Sequence, residues 1–140
     1  MTGICGVRQN RDGALKLLVY GKASAMAVDP IEKKPLYHFL PGSGIFSFGT
    51  IGCNYNCAFC QNWDLSQAGK NERALALKGQ MQPSELAKSI EEYGSDLRPK
   101  DIIAYCRENN IGAIAYTYNE PSIFFEYTYD TAKLANKYGI

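Results

Sequence analysis

The chain holds 140 residues, about one domain's length and too short for two full domains. Fifteen Lys and Arg against fourteen Asp and Glu leave a net charge of +1, which carries no electrostatic footprint for nucleic acid or an anionic membrane. Neither partner is expected. The composition, 46% hydrophobic and 21% charged, is that of a chain that buries a core, far from the disordered regime.

In chain order, the first prominent pattern falls in residues 15–29. Leu17, Leu18, Val19 and Tyr20 precede the turn residues Gly21 and Lys22, and Ala25, Met26, Ala27 and Val28 follow. The pattern predicts a small β-hairpin. Asp29-Pro30 then opens a polar connection, and Pro35 leads into the apolar, strand-like run of residues 36–40, which contains His38. Residues 41–44, Pro-Gly-Ser-Gly, break the chain again. Residues 45–48 are a short apolar strand candidate, followed by the loop Gly49, Thr50, Ile51, Gly52 and a cluster of cysteines.

Three helices are predicted after that, over residues 83–93, 99–109 and 122–138. Pro83, Pro99 and Pro121 stand at or just before their starts, where a missing N–H costs nothing. Leu86 with Ile90, Ile102 with Cys106, and Ile123 with Tyr127 have one-face spacing. Residues 111–118 form an apolar run of strand length between the last two helices. The alternation of strand and helix predicts βα units and a parallel sheet. Residues 1–44 then form a β-rich N-terminal extension and residues 45–140 the first β/α units, which cannot close a parallel sheet by themselves.

Three of the five cysteines, Cys53, Cys57 and Cys60, fall within eight residues, with Cys5 and Cys106 elsewhere. This is a poor disulfide framework, and together with the missing signal-peptide and membrane-spanning runs it predicts a cytoplasmic chain. In a reducing compartment such a cluster binds metal or does redox chemistry. Three thiolates with the spacing C-x3-C-x2-C can hold three corners of a [4Fe–4S] cluster, whose full Cys ligation takes four. One iron then stays open to a cofactor or substrate. The alternative is a closed structural zinc or iron–sulfur module completed by His38 or Cys106. Cys106 shares a helical face with Ile102 and reads as a buried, inert thiol.

The cysteine spacing, with Phe59 immediately before Cys60, resembles the signature of the radical S-adenosylmethionine (SAM) superfamily. The flanking text narrows the likeness: Asp29-Pro30-Ile31-Glu32-Lys33-Lys34-Pro35-Leu36-Tyr37-His38-Phe39, Gly49-Thr50-Ile51-Gly52-Cys53-Asn54, Cys60-Gln61-Asn62-Trp63, and Ala115-Tyr116-Thr117-Tyr118-Asn119-Glu120-Pro121. Together these are similar to the radical SAM enzyme of the AmmeMemoRadiSam system, of pyruvate formate-lyase activating enzyme type. The likeness covers almost the whole chain from Cys5 onward.

The resemblance implies a partial (β/α)6 TIM-like barrel, of which this chain would be the N-terminal portion. It implies a [4Fe–4S] cluster on Cys53, Cys57 and Cys60 and SAM as second cofactor, cleaved reductively to a 5′-deoxyadenosyl radical that abstracts hydrogen from a substrate. The substrate is unassigned, a protein being one option, and a reductant such as flavodoxin or ferredoxin would feed the cluster. Phe59 would face the adenine. In related activating enzymes a Gly-Gly-Glu stretch binds the SAM amino group; here Tyr118 and Asn119 stand where the glycines would be, leaving Glu120 as the expected acceptor and Asn119 as a second candidate by side chain or backbone. A carboxylate just ahead of a helix is equally suited to capping it, which is the other reading of Glu120. Three further departures stand out: an extra helix before Pro99, the shortness of the chain against the family core, and the missing cysteine-bearing segment upstream of Cys5.

Overall fold

A computed structural model describes all residues, 1–140. The chain opens with a hairpin, β1 (Arg8–Arg11) antiparallel to β2 (Ala14–Leu17). Its turn is Asp12-Gly13, with φ of 52° and 80°. Positive φ at both central residues matches the twist of the flanking strands, and Asp-Gly is the pair that adopts it readily. The hairpin predicted around Gly21-Lys22 does not form. Leu18 and Val19 are buried in the core instead, and β3 (Lys22–Ala23) pairs with the distant β6 (Ser95–Asp96).

The main sheet has the order β4-β5-β7. β4 (Ala25–Pro30) runs antiparallel to β5 (Gly44–Gly49), with Ala25 opposite Gly49 and Pro30 opposite Gly44. β7 (Ile114–Tyr116) lies parallel to β5, with Phe48 opposite Tyr116. The predicted parallel pairing thus forms, as part of a mixed α/β sheet. β4 comes from the N-terminal extension and pairs along its full length with β5, so residues 1–44 and 45–140 share one sheet. Residues 36–40 form no strand. They are a series of bends with His38, Tyr37 and Phe39 exposed, because no neighbouring strand offers them a ladder.

The helices are α1 (Trp63–Leu77), α2 (Pro83–Glu92), α3 (Pro99–Glu108) and α4 (Phe125–Ala135), the last flanked by single 3-10 turns at Pro121–Phe124 and Asn136–Tyr138. At the start of α2 the Glu85 carboxylate accepts from the Gln82 amide at 2.6 Å, and at the start of α3 Asp101 accepts from the Arg98 amide at 3.0 Å. Each occupies a backbone donor that the helix leaves without a partner. α1 was not expected. Its buried residues are Ser66, Gln67, Ala68 and Gly69, so it carries no apolar stripe for a periodicity search to find.

Phe46 and Phe48 project from β5 toward the helices. Phe48 meets Tyr127 at 5.1 Å between ring centroids and Tyr116 at 5.4 Å, separations favourable for tilted and edge-on aromatic pairs. Around them lie Leu86, Ile90, Ile102, Cys106, Ile123 and Phe124 from α2, α3 and the segment leading into α4. Tyr127 is fully buried, and its hydroxyl donates to the Leu97 carbonyl. The opposite face of the sheet is small: Ile45 packs with Ile31, Ala113 and Ala115.

The N-terminal segment is joined to α4 by Arg8. Its Nε donates to the Ile123 carbonyl at 2.7 Å, and its two terminal nitrogens grip both oxygens of Glu126. That bidentate bond holds the Glu126 carboxyl below the ordinary glutamate range. A group with a depressed folded pKa stabilises above its unfolded pKa, and the contribution is lost as pH falls through the folded value. The Glu126 side chain is 51% exposed, so solvent screening limits the pair to about 1 kcal/mol or less. Glu126→Gln is therefore expected to lower urea-denaturation stability at pH 7 by up to about 1 kcal/mol, with the deficit disappearing at pH values below the carboxyl's titration.

Gly6, Gly52 and Gly69 meet backbone to backbone. A Cβ on Gly69 would lie 2.7 Å from the Cys5 carbonyl oxygen and 3.3 Å from Val7 Cγ1. Gly to Ala inside a helix ordinarily stabilises by about 1 kcal/mol. Here the sign reverses: Gly69→Ala is expected to cost at least about 2 kcal/mol in urea denaturation through overpacking. Gly112→Ala, where nothing lies within 4 Å, should change stability by less than about 1 kcal/mol.

Candidate functional site

β5 and β7 run in the same direction, so the loops that follow them leave from one edge of the sheet. Ligands of parallel α/β sheets bind beyond the carboxyl ends of the strands. After β5 come Thr50, Ile51, Gly52 and the thiol loop of residues 53–60; after β7 come Thr117, Tyr118, Asn119 and Glu120.

The two loops are bonded to each other. Asn119 Nδ2 donates to the Gly52 carbonyl at 2.7 Å and to Thr50 Oγ1 at 3.1 Å, while its Oδ1 accepts from the Thr50 amide at 3.3 Å. Gly49 makes this approach possible, because a Cβ there would fall 2.2 Å from the Thr117 carbonyl oxygen and 2.9 Å from Asn119 Oδ1. Both N–H donors of the Asn119 amide are used within the protein. A ligand contact by Asn119 is left to its backbone or to the second lone pair of Oδ1.

Glu120 is half-buried, and its Oε1 accepts from the Ser122 amide at 3.1 Å, at the start of the 3-10 turn Pro121–Phe124. The capping reading of this residue is therefore realised. Only Oε1 is engaged, so one carboxylate oxygen is free to accept from a cationic group. Tyr118 has φ of +70°, a left-handed backbone conformation that glycine adopts at little cost. The ring lies beneath Lys34, whose ammonium is 5.6 Å from the centroid and 3.0 Å from Asp29 Oδ2. Asp29 also pairs with Lys33 at 2.9 Å, and these bonds hold its carboxyl below the usual aspartate range.

Along the thiol loop the three cysteines are more buried than the residues between them. Cys53 is buried, and its Sγ accepts from the Tyr55 amide at 3.4 Å. Cys57 and Cys60 are half-buried, linked by a turn in which the Cys60 amide donates to the Cys57 carbonyl at 3.2 Å. Cys60 Sγ lies 3.5 Å from Ser66 Oγ of α1. Phe59 is 87% exposed and is not part of the core. Trp63, at the start of α1, is also largely exposed.

All five cysteines are free thiols. The donor set at Cys53, Cys57 and Cys60 is therefore available and suits a thiophilic metal or an iron–sulfur cluster by its chemistry. The three Sγ atoms are not assembled into a metal-ligating group in this structure. The residues expected as alternative ligands sit elsewhere. Cys106 is on the core face of α3, where burial raises its thiol pKa to about 11, and His38 is on the exposed bends of residues 36–40. Cys5 is buried against the Gly52 and Gly69 backbones. The sequence reading missed Asn119's amide as a bridge and Thr50 as its partner; their signal was faint, since only a three-dimensional pairing of β5 with β7 brings them together.

Over 138 residues the chain is 36% identical to an uncharacterized protein of Methanocaldococcus jannaschii, a match that covers 99% of this chain and 36% of that protein. The chain thus spans little more than a third of the length of this relative. No family model and no solved structure matches the chain. No helix is long and apolar enough to cross a membrane.

The left-handed Tyr118 backbone gives a test of the turn. Tyr118→Val is expected to lose at least about 1 kcal/mol more in urea denaturation than Tyr118→Gly, because a β-branched residue tolerates positive φ least. Equal losses would show that the turn relaxes to ordinary φ.

Proposed function

We propose that the chain is the N-terminal portion of a radical SAM enzyme of the activating-enzyme type, with the architecture of a partial (β/α)6 barrel. Cys53, Cys57 and Cys60 would hold a [4Fe–4S] cluster and leave one iron for SAM. The observation that carries this reading is the juxtaposition at the sheet edge. A loop with three free thiols follows β5, and a turn with a half-free carboxylate follows the parallel β7. The motif text around both segments supports it independently.

When bound, the cluster and SAM supply one-electron cleavage of the sulfonium to a 5′-deoxyadenosyl radical, with a reductant such as flavodoxin or ferredoxin providing the electron. The chain's own residues bind and shield. Glu120 offers its free carboxylate oxygen to the SAM amino group, a charge-assisted hydrogen bond. The exposed ring of Phe59 covers the adenine and removes apolar surface from water. Buried Cys53 would hold the cluster at the fixed end of the loop, and the less buried Cys57 and Cys60 would supply the other two thiolates. The hydrogen-abstraction substrate is selected by residues outside this chain's first β/α units and is left unassigned. Free thiols without a disulfide support a reducing, cytoplasmic setting.

Anaerobic reconstitution with iron and sulfide, followed by electron paramagnetic resonance of the dithionite-reduced protein, tests the reading. A cubane signal that shifts on adding SAM is expected, and single Cys→Ala changes at residues 53, 57 and 60 should each lower iron content several-fold. Iron content unaffected by all three changes, or zinc retained in place of iron and indifferent to SAM, would refute it.

A further inference from the structure

We infer that Asn119 is a positioning residue, which fixes the entry of the thiol loop to the end of β7 and so sets the register between Cys53 and Glu120. Its amide makes three hydrogen bonds across the sheet edge, to the Thr50 amide, the Thr50 hydroxyl and the Gly52 carbonyl. All three targets precede Cys53 by one to three residues. Asn119 itself directly precedes Glu120, so one rigid side chain spaces the two halves of the site.

The chemistry of an amide is required here. Thr50 presents both a donor, its N–H, and an acceptor, its hydroxyl oxygen, while Gly52 presents an acceptor. Only a group with an acceptor and two donors in one plane satisfies all three. An aspartate at this position would be the wrong partner, since a carboxylate turns both donors into lone pairs facing the Gly52 and Thr50 oxygens. On the Thr50 side the bonds are out of water, because Thr50 is fully buried, and its hydroxyl proton is spent on the Ile51 carbonyl at 3.1 Å, which leaves its oxygen to accept from Asn119. Gly49 has no room for a Cβ, so the two loops stand at backbone contact and cannot separate without breaking these bonds.

A residue that clamps one loop should control local opening of that loop and leave the core alone. Cysteine alkylation of the metal-free protein, read site by site by mass spectrometry, separates the two. Cys53 reports on the loop entry, and Cys106, fully buried in the main core, reports on global unfolding. In Asn119→Ala the Cys53 alkylation rate is expected to rise about tenfold or more over the unaltered chain, with the Cys106 rate unchanged. Asn119→Asp should behave like Asn119→Ala or worse. Thr50→Val, which removes the hydroxyl alone and keeps the N–H, should raise the Cys53 rate less, and its effect should be largely absent when combined with Asn119→Ala.

A Cys53 rate equal to that of the unaltered chain, or a Cys106 rate rising in parallel, overturns the assignment. Should Asn119→Ala fail to fold, Thr50→Val carries the same comparison on a near-isosteric change. A second arm rests on the function proposed above: after anaerobic reconstitution, Asn119→Ala should retain several-fold less iron per chain. If the unaltered chain takes up no iron, that function fails, while the alkylation arm still decides the role of Asn119.

Discussion

The structure depends on a place where three backbone segments touch through glycines, with the Val7 side chain packed beside them. A Cβ on Gly6 would overlap the Gly69 carbonyl, and one on Gly52 would lie 2.5 Å from the Cys5 carbonyl oxygen. The N-terminal turn, the entry to the thiol loop and the middle of α1 therefore share one junction. Gly6 and Gly52 also have φ of 82° and 84°, so both conformation and space select glycine there. The Gly52 amide completes the junction by donating to the Leu65 carbonyl of α1 at 3.0 Å. Backbone contact of this kind cannot be repacked by a rotamer change, and so the position of residue 53 is set by chain path instead of by side-chain packing.

This junction bears on α1, the one helix that the sequence hid. The starts of α2 and α3 were legible because proline marks them, and Leu86, Ile90, Ile102 and Cys106 repeat at helical spacing toward the core. β5 and β7 were legible as apolar runs of strand length, and their parallel pairing followed from the helices between them. α1 was illegible for a physical reason. It packs through Gly69 onto the Cys5 and Gly52 backbone, a contact that rewards small residues, whereas pattern reading rewards large apolar ones. The N-terminal hairpin has a local signal in Asp12-Gly13 that the sequence analysis passes over, while the more apolar residues 17–28 serve the core and three different strands, β2, β3 and β4.

The candidate site was legible in its parts and not in its assembly. The spacing of Cys53, Cys57 and Cys60 and the carboxylate at Glu120 are sequence features. That Asn119 spends its amide on the thiol loop is a consequence of register between β5 and β7, which no local pattern encodes. The DPIEKKP stretch shows the same limit. Asp29 gathers Lys33 and Lys34 and sets Lys34 over the Tyr118 ring, so a segment far upstream braces the turn that leads to Glu120. Exposed ion pairs contribute little singly. The pair of Asp29 with Lys34 is different in that the two side chains are only 12% and 19% exposed, so the bracing is less screened than its surface position would suggest.

The two sides of the sheet edge then divide the work between rigidity and adaptability. On the fixed side stand Gly49, Thr50 and Gly52, clamped by Asn119 and by the glycine junction. On the other side stand Cys57, Phe59 and Cys60, held by a turn, by the Ser66 contact and by the Lys70 ammonium on the Tyr55 carbonyl. A preformed arrangement of three thiols would bring like ligands together before any cation arrived to offset their repulsion as thiolates. In the function proposed, a loop fixed at its entry and held by fewer contacts further on would avoid that cost, with cluster binding ordering the remainder.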